Sequence, residues 1–305
     1  MMNPILASEG RRRMRSWRTP VILTTLCALL LLFSYLQQLH MFMGASISMT
    51  DMQQGVFGYA TMLVMQFALI VMVAPLMSAG SIAGERERQT LDLLLVTNTG
   101  SFAIVMGKLL ENFVFLALLI VGMLPISCVG LLYGSISLQN IAMSTLFLLV
   151  CAFAALSVGV LCSVLFRRTV TAAIIAYSIL LAIGLCTLLP VAFWLRNDAL
   201  MKQIAQGGIG LRQAILSIPQ SVWFNPGVGL VAIIDSQTHL LMGALENFGF
   251  DKIFIAFGSD STTLVAWLNM AASLALALLL TFIAAACLRA RSMPRAHRKK
   301  QESKS

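Results

Sequence analysis

The 305 residues are 59% hydrophobic and only 11% charged, with mean hydropathy +0.88, which excludes an ordinary water-soluble domain, where about a quarter of residues carry charge. The formal net charge of +9 does not point to nucleic acid, because five of the 21 basic residues lie between Arg11 and Arg18 and seven between Arg289 and Lys304. Those clusters flank the first and last apolar blocks, where anionic lipid headgroups attract them.

The apolar residues run in continuous blocks, and several exceed the roughly 20 residues that a helix needs to cross a bilayer. Only helices or a closed barrel satisfy the backbone in lipid, and continuous blocks predict helices. The expected fold is an all-α polytopic membrane protein with six transmembrane helices. Residues 1–20 carry Ser8-Glu-Gly-Arg-Arg-Arg-Met-Arg-Ser-Trp-Arg18 ahead of Thr19-Pro20. This predicts a short interfacial helix held by Arg11, Arg12, Arg13, Arg15 and Arg18, with Trp17 as its anchor. A signal peptide could open in the same way, but no convincing small-residue cleavage site follows, whereas five further blocks do.

The transmembrane region is expected over 21–288, with spans at about 21–43, 55–84, 103–132, 139–165, 169–195 and 261–288. Pro75 interrupts the second and Pro190 lies in the fifth, where kinks or terminations are expected. Gly100-Ser101 supplies a stop and a candidate N-cap for the third. Residues 196–260 form the one sizeable connection. Its moderately apolar pieces, Ile209–Val222 and Val228–Ile234, are short for spans and read as interfacial or re-entrant helices. Residues 289–305 form a basic tail, expected to be disordered after Pro294.

With six spans, one side receives 17 Lys and Arg, and the other receives four: Arg196, Lys202, Arg212 and Lys252. The positive-inside rule therefore predicts two cytoplasmic termini in a cell inner membrane, with 196–260 outside. All six cysteines (Cys27, Cys128, Cys151, Cys162, Cys186 and Cys287) lie in or beside apolar blocks without metal-ligand spacing, as packed thiols do.

The most informative stretch is Gly84-Glu-Arg-Glu-Arg-Gln-Thr-Leu-Asp-Leu-Leu-Leu-Val-Thr97. Four consecutive charges terminate the second span, and Leu91, Leu94 and Leu95 then recur at helical spacing. Two readings fit: a loop helix lying on the headgroups, or a docking element offering an apolar ridge beside charges. Within the spans, Gln66 is either a helix contact or a group on a translocation path. Glu111, three residues from Lys108, forms an ion pair or snorkelling pair at the inner boundary, or else a substrate ligand if held deeper.

Three features resemble the permease subunits of ABC-2 type ATP-binding-cassette transporters. They are Asn3-Pro4 followed by Glu9 and Arg15-Ser-Trp-Arg18; Gly84-Glu-Arg-Glu-Arg-Gln-Thr-Leu-Asp-Leu-Leu-Leu95; and Gly107-Lys108-Leu-Leu with Pro125 further along. The likeness covers nearly the full chain and is weak after Arg196. It implies that residues 5–18 are an amphipathic elbow and that about 84–97 couple to an ATPase, with Glu85, Arg86, Glu87, Arg88, Thr90, Leu91, Asp92, Leu94 and Leu95 as candidates. It also implies a second, identical permease subunit, two ATPase copies, and short helices between the last two spans that dip toward the outer leaflet.

No Gly-x-x-x-x-Gly-Lys-[Ser/Thr] sequence occurs, so ATP and Mg are expected in a separate partner subunit, with no cofactor and no catalytic residue in this chain. The expected function is the membrane subunit of an ATP-driven exporter. The alternative is a non-transporting scaffold or assembly factor that docks an ATPase. A membrane enzyme is disfavoured because His40, His239 and His297 are far apart, and a secondary transporter because buried charges are few.

Overall fold

The structure, a computed structural model, describes residues 50–90, 100–128, 136–195, 223–238 and 262–302, with scattered positions between 21 and 36. Seven helices follow in order: α1 (Thr50–Glu87), α2 (Ser101–Gly122), α3 (Leu124–Ser127), α4 (Leu138–Leu165), α5 (Thr169–Leu195), α6 (Pro226–Thr238) and α7 (Thr262–Glu302). No strand occurs among the described residues.

Five of these helices are long and apolar enough to cross a membrane, with windows at Gly58–Glu87, Ser101–Gly122, Leu138–Leu165, Thr169–Thr187 and Val265–Arg289. They correspond to the second through sixth expected spans. The first span lies largely outside the described residues, although the described positions from Val21 to Leu36 are helical. There Thr24 and Thr25 bond back to the Val21 carbonyl. The elbow, residues 5–18, lies outside the described residues.

Three helix boundaries bear on the sequence reading. Helix α2 ends at Gly122, where Gly122 and then Pro125 break the ladder and the one-turn α3 follows to Ser127; residues 129–132, the expected end of the third span, lie outside the described residues. The N-cap of α2 is Gly100, with Ser101 as the first helical residue and no side-chain cap. The tail after Pro294 is helical through Glu302. Its Arg, Ala, Lys, Gln and Glu residues are good helix formers that extend a helix already nucleated in the apolar span.

Helix α4 is the centre of the bundle and packs on α1, α2, α5, α6 and α7. Its pairing with α1 is the most extensive. Small residues allow it: a Cβ on Gly159 would lie 1.8 Å from Ser78 Oγ and 2.9 Å from Ser78 Cβ. Without a water-driven force between helices in lipid, such close approach and interhelical hydrogen bonds hold the pair together. Ser163 Oγ accepts from the backbone N–H groups of Ile82 (2.9 Å) and Ala83 (2.8 Å), and Tyr59 donates to Ser144 at 2.7 Å, since Ser144 itself donates to Ile141.

Two cross-helix pairs set α1 against α2 and α3. Gln66 donates to Ser127 at 3.3 Å, and Lys108 lies 2.5 Å from Glu85. Along each strand of this hairpin the two contacts are separated by the same number of residues, so both fit one antiparallel register. Apolar packing fills the spaces between. One cluster gathers Ile82, Ile104, Leu109, Val160, Val164 and Leu288, and a larger one at the other end includes Ile70, Leu116, Phe147, Leu156 and Ile233.

The packing generates a paired expectation. Gly159→Ala should lower the thermal midpoint of the detergent-solubilised protein, because overpacking costs about 1–3 kcal/mol and exceeds the helix-propensity gain of about 1 kcal/mol. Gly80→Ala, where a Cβ would meet nothing within 4 Å, should leave the midpoint unchanged or raise it. Equal midpoints for the two variants, read by fluorescence-detected gel filtration after heating, would contradict the packing account.

Candidate coupling site at the end of α1

The last turn of α1 has little apolar content, and each of its first three charges engages a different helix. Glu85 meets Lys108 of α2, with side chains 18% and 8% exposed. That places the pair in the buried regime, where losing one partner leaves a stranded charge. The second carboxylate oxygen of Glu85 is buried with no hydrogen-bond partner among the described residues, so Lys108 is what neutralises this group there.

Arg86 reaches the C-terminus of α4. Its Nη1 donates to the carbonyls of Val164 (3.3 Å) and Phe166 (3.0 Å), and Nη2 donates to Val164 (3.3 Å). A helix leaves its last carbonyls without intrahelical donors, and a cation there also complements the helix dipole. Glu87 does the converse for α5. Its Oε1 accepts from the Thr169 backbone N–H at 2.9 Å, and its Oε2 accepts from the Thr169 hydroxyl at 3.1 Å. The residue before α5 is Arg168, which has no side-chain acceptor, so Glu87 supplies from a neighbouring helix what an N-cap side chain would supply.

The turn then closes. Gln89 has φ +58°, and the N–H groups of Gln89 and Thr90 donate to Arg86 (3.2 Å) and Glu85 (3.0 Å). These are the two bonds of a Schellman motif, with Gln89 in the left-handed position that glycine commonly fills. Thr90 adds a hydroxyl bond to the Glu85 carbonyl at 3.2 Å. Arg88 is exposed, as are Arg167 and Arg168 in the turn between α4 and α5.

A family model described as ABC-2 family transporter protein matches residues 3–293. The chain belongs to this family. None of the curated proteins compared with it matches. As an ABC-2 transporter component, the chain is a polytopic membrane protein without catalytic residues of its own. Among the described residues, no group of three or more His, Cys, Asp or Glu could hold a metal ion.

The ABC-2 assignment returns attention to the candidates of the sequence reading. Glu85, Arg86 and Glu87 come together at one place and bond to α2, α4 and α5, Thr90 bonds back to the Glu85 carbonyl of its own turn, and Arg88 is exposed. Leu91, Asp92, Leu94 and Leu95 lie outside the described residues, as do Arg11, Arg12, Arg13, Arg15, Trp17 and Arg18. Gln66 is 4% exposed and forms the helix contact to Ser127. Glu111 is half-buried one turn beyond Lys108, whose ion pair crosses to Glu85. Of the cysteines, Cys151 and Cys162 are buried, Cys128 and Cys287 are half-buried, and Cys186 is exposed on the apolar surface of α5 rather than packed.

Sequence reasoning missed the second polar cluster, at the other end of the bundle. Asn225 donates to Thr187 Oγ1 (2.8 Å) and to the Gly184 carbonyl (3.3 Å), and its Oδ1 accepts from the Gly227 N–H (2.8 Å). Asn269 of α7 donates to the carbonyls of Asn225 (2.9 Å) and Trp223 (3.0 Å). The following helix, α6, buries Val228, Leu230, Ala232, Ile233 and Ile234. It lies inside the bundle against α7 and α4, where a Cβ on Gly229 would come 2.7 Å from Phe147. The Asn-Pro pair before an apolar run was the available signal, since Asn caps and Pro suits the first helical turn.

The ion pair supports a charge-swap test. Glu85→Lys and Lys108→Glu should each cut the yield of monodisperse protein, consistent with about 3–5 kcal/mol for a stranded buried charge. The double exchange should restore much of it. A double variant no better than the worse single one would show that the pair is not what holds α1 to α2.

Proposed function

We propose that this ABC-2 component is the membrane subunit of an ATP-driven exporter, working as a pair of identical subunits with two copies of a separate ATPase. In this reading ATP and Mg act in the partner, and the segment from Glu85 to Leu95 receives its movement. The observation that carries the reading is the triple attachment of the α1 terminus to α2, α4 and α5. A push on residues just beyond Thr90 would displace the end of α1 together with the end of α4, the start of α5 and α2 at Lys108, which is what a coupling element must do.

In this reading the candidates divide by role. Glu85, Arg86 and Glu87 transmit, because their bonds join helices of this chain. Leu91, Leu94 and Leu95, with Arg88, are the groups left to meet the ATPase. Buried leucines contribute about 1.5–3 kcal/mol each, whereas a rim charge chiefly affects docking rate. The elbow arginines and Trp17 bind the inner headgroups and orient the first span, at about 1 kcal/mol per headgroup contact. Both termini and the Glu85 end face the cytoplasm in a cell inner membrane, and 196–260 faces outward.

Leu94→Asp should release or uncouple the ATPase while leaving insertion nearly intact, since residue 94 lies beyond the membrane window that ends at Glu87. Co-purification and ATPase activity in reconstituted membranes measure this. Full recovery of the complex with normal transport-coupled hydrolysis would defeat the coupling role. Orientation has its own check in intact cells, with single cysteines in a cysteine-free background. Gln206→Cys should react with an impermeant maleimide, and Ser303→Cys should react only after permeabilisation; the reverse pattern would invert the topology.

A further inference from the structure

Helix α5 is bonded to its neighbours at three heights. Its first residue, Thr169, is held by Glu87 through the backbone N–H at 2.9 Å. Two turns on, the Tyr177 hydroxyl donates to the Met72 carbonyl of α1, just before Pro75. Proline lacks the N–H that would bond to the carbonyl of Val71, the residue before Met72, so the ladder of α1 is interrupted beside this contact. At the other end, Thr187 Oγ1 donates to the Ile183 carbonyl and accepts from Asn225 at 2.8 Å, while the Gly184 carbonyl accepts from Asn225 at 3.3 Å. Asn225 is in turn fastened to α7 through Asn269 and to the start of α6 through Gly227.

From Thr169 to Tyr177 α5 buries Ala172 and Ala176 against Ala79 and Ala83 of α1 and Val158 and Cys162 of α4, and the rest of its surface is thinly packed. Only 11% of its membrane window is buried, against 67% for α4, and Val170, Ile174, Leu181 and Leu185 all face outward. Contact with lipid is non-directional and does not hold a helix at one height, whereas interdigitated side chains do. A helix that is rigid along its axis, held close by small residues over its first two turns and bonded again near its other end transmits a displacement from one end to the other.

We infer that α5 is the connecting rod that carries movement of the Glu85–Thr90 segment to the Asn225 turn and α6. The inference rests on the coupling reading above, and it adds the route and the destination. Glu87–Thr169 is the input joint, Tyr177–Met72 ties the rod to the Pro75 region of α1, and Asn225–Thr187 is the output joint. Displacing Asn225 shifts the buried N-terminal turn of α6 against Phe147 and Asn269, where Gly229 leaves no spare room.

The test uses the complex with its ATPase in lipid nanodiscs, in a cysteine-free background, with spin labels at Arg167→Cys or Phe224→Cys. Both positions are exposed. Spectra are compared with and without Mg-ATP and orthovanadate. In the parent, both labels should respond to nucleotide trapping. In Tyr177→Phe/Thr187→Val, which removes the two joints with near-isosteric side chains, the Arg167 label should respond as before. The Phe224 response should fall about fivefold for each hydrogen bond lost. Retention of the Arg167 response also shows that the double variant is folded and coupled. An undiminished Phe224 response in the double variant, or none in the parent, overturns the rod while leaving coupling intact. Silence of both labels in the parent overturns the coupling reading and the rod together.

Discussion

Helices solve the backbone problem of a membrane everywhere except at their ends, and this bundle meets that constraint most acutely between α4 and α5. Only residues 166–168 separate them, so the last carbonyls of one helix and the first amide of the next lie close together. Two adjacent side chains of α1 answer both needs with the correct signs. Arg86 takes the carbonyl end and Glu87 the amide end, each complementing the local helix dipole. Because the two residues are consecutive, a slip or rotation of α1 by one position would lose both sets of bonds at once. The arrangement therefore fixes register as well as contributing charge-assisted hydrogen bonds, which are worth about 1.5–3 kcal/mol each.

That register reaches into the membrane. The α1–α4 bonds near this end have sequence separations of 78 to 81, from Arg86 with Val164 and Phe166 through Ala83–Ser163 to Ile82–Ser163, as two parallel helices in step require. The same alignment brings Ser78 to Gly159, where no other residue fits without movement. Polar bonds at the helix ends thus select which small residues face each other, and close packing then makes that choice stable. Only small side chains at the crossing allow the end bonds to form.

The helical class and the second through sixth spans were legible because they depend on local pattern: block length, charge runs and helical spacing. The partners of the charges were not. Lys108 stands three residues from Glu111, which a one-dimensional reading can pair with it, but its ion pair with Glu85 on α1 is one that no spacing rule reveals. Gly159 carries no signal of its own, since glycine is common in membrane helices and only Ser78 opposite makes it necessary. The loop before the last span was the least readable part for a related reason. Asn225 matters through Thr187 and Asn269, each far from it in sequence. The end of α2 could have been placed from Gly122 and Pro125, but the apolar run continuing past them outweighed the two breakers.

These bonds change what substitutions in the Gly-Glu-Arg-Glu segment can reveal. A charged motif at the end of a membrane helix invites interpretation as a docking surface, with every loss of activity assigned to a lost partner. Here three of its four charges lie against the protein's own helix ends. Truncating Glu87 removes the acceptor at the start of α5, and truncating Arg86 releases the carbonyls of Val164 and Phe166. Either change loosens the bundle before any partner is considered, so its effect on coupling cannot be separated from its effect on folding. Arg88, exposed like Glu87, lies beyond the Glu87–Thr169 bond, so an effect of replacing it that spares stability bears on the partner. The boundary between what holds this protein together and what it offers to another chain falls inside a single helical turn, between Glu87 and Arg88.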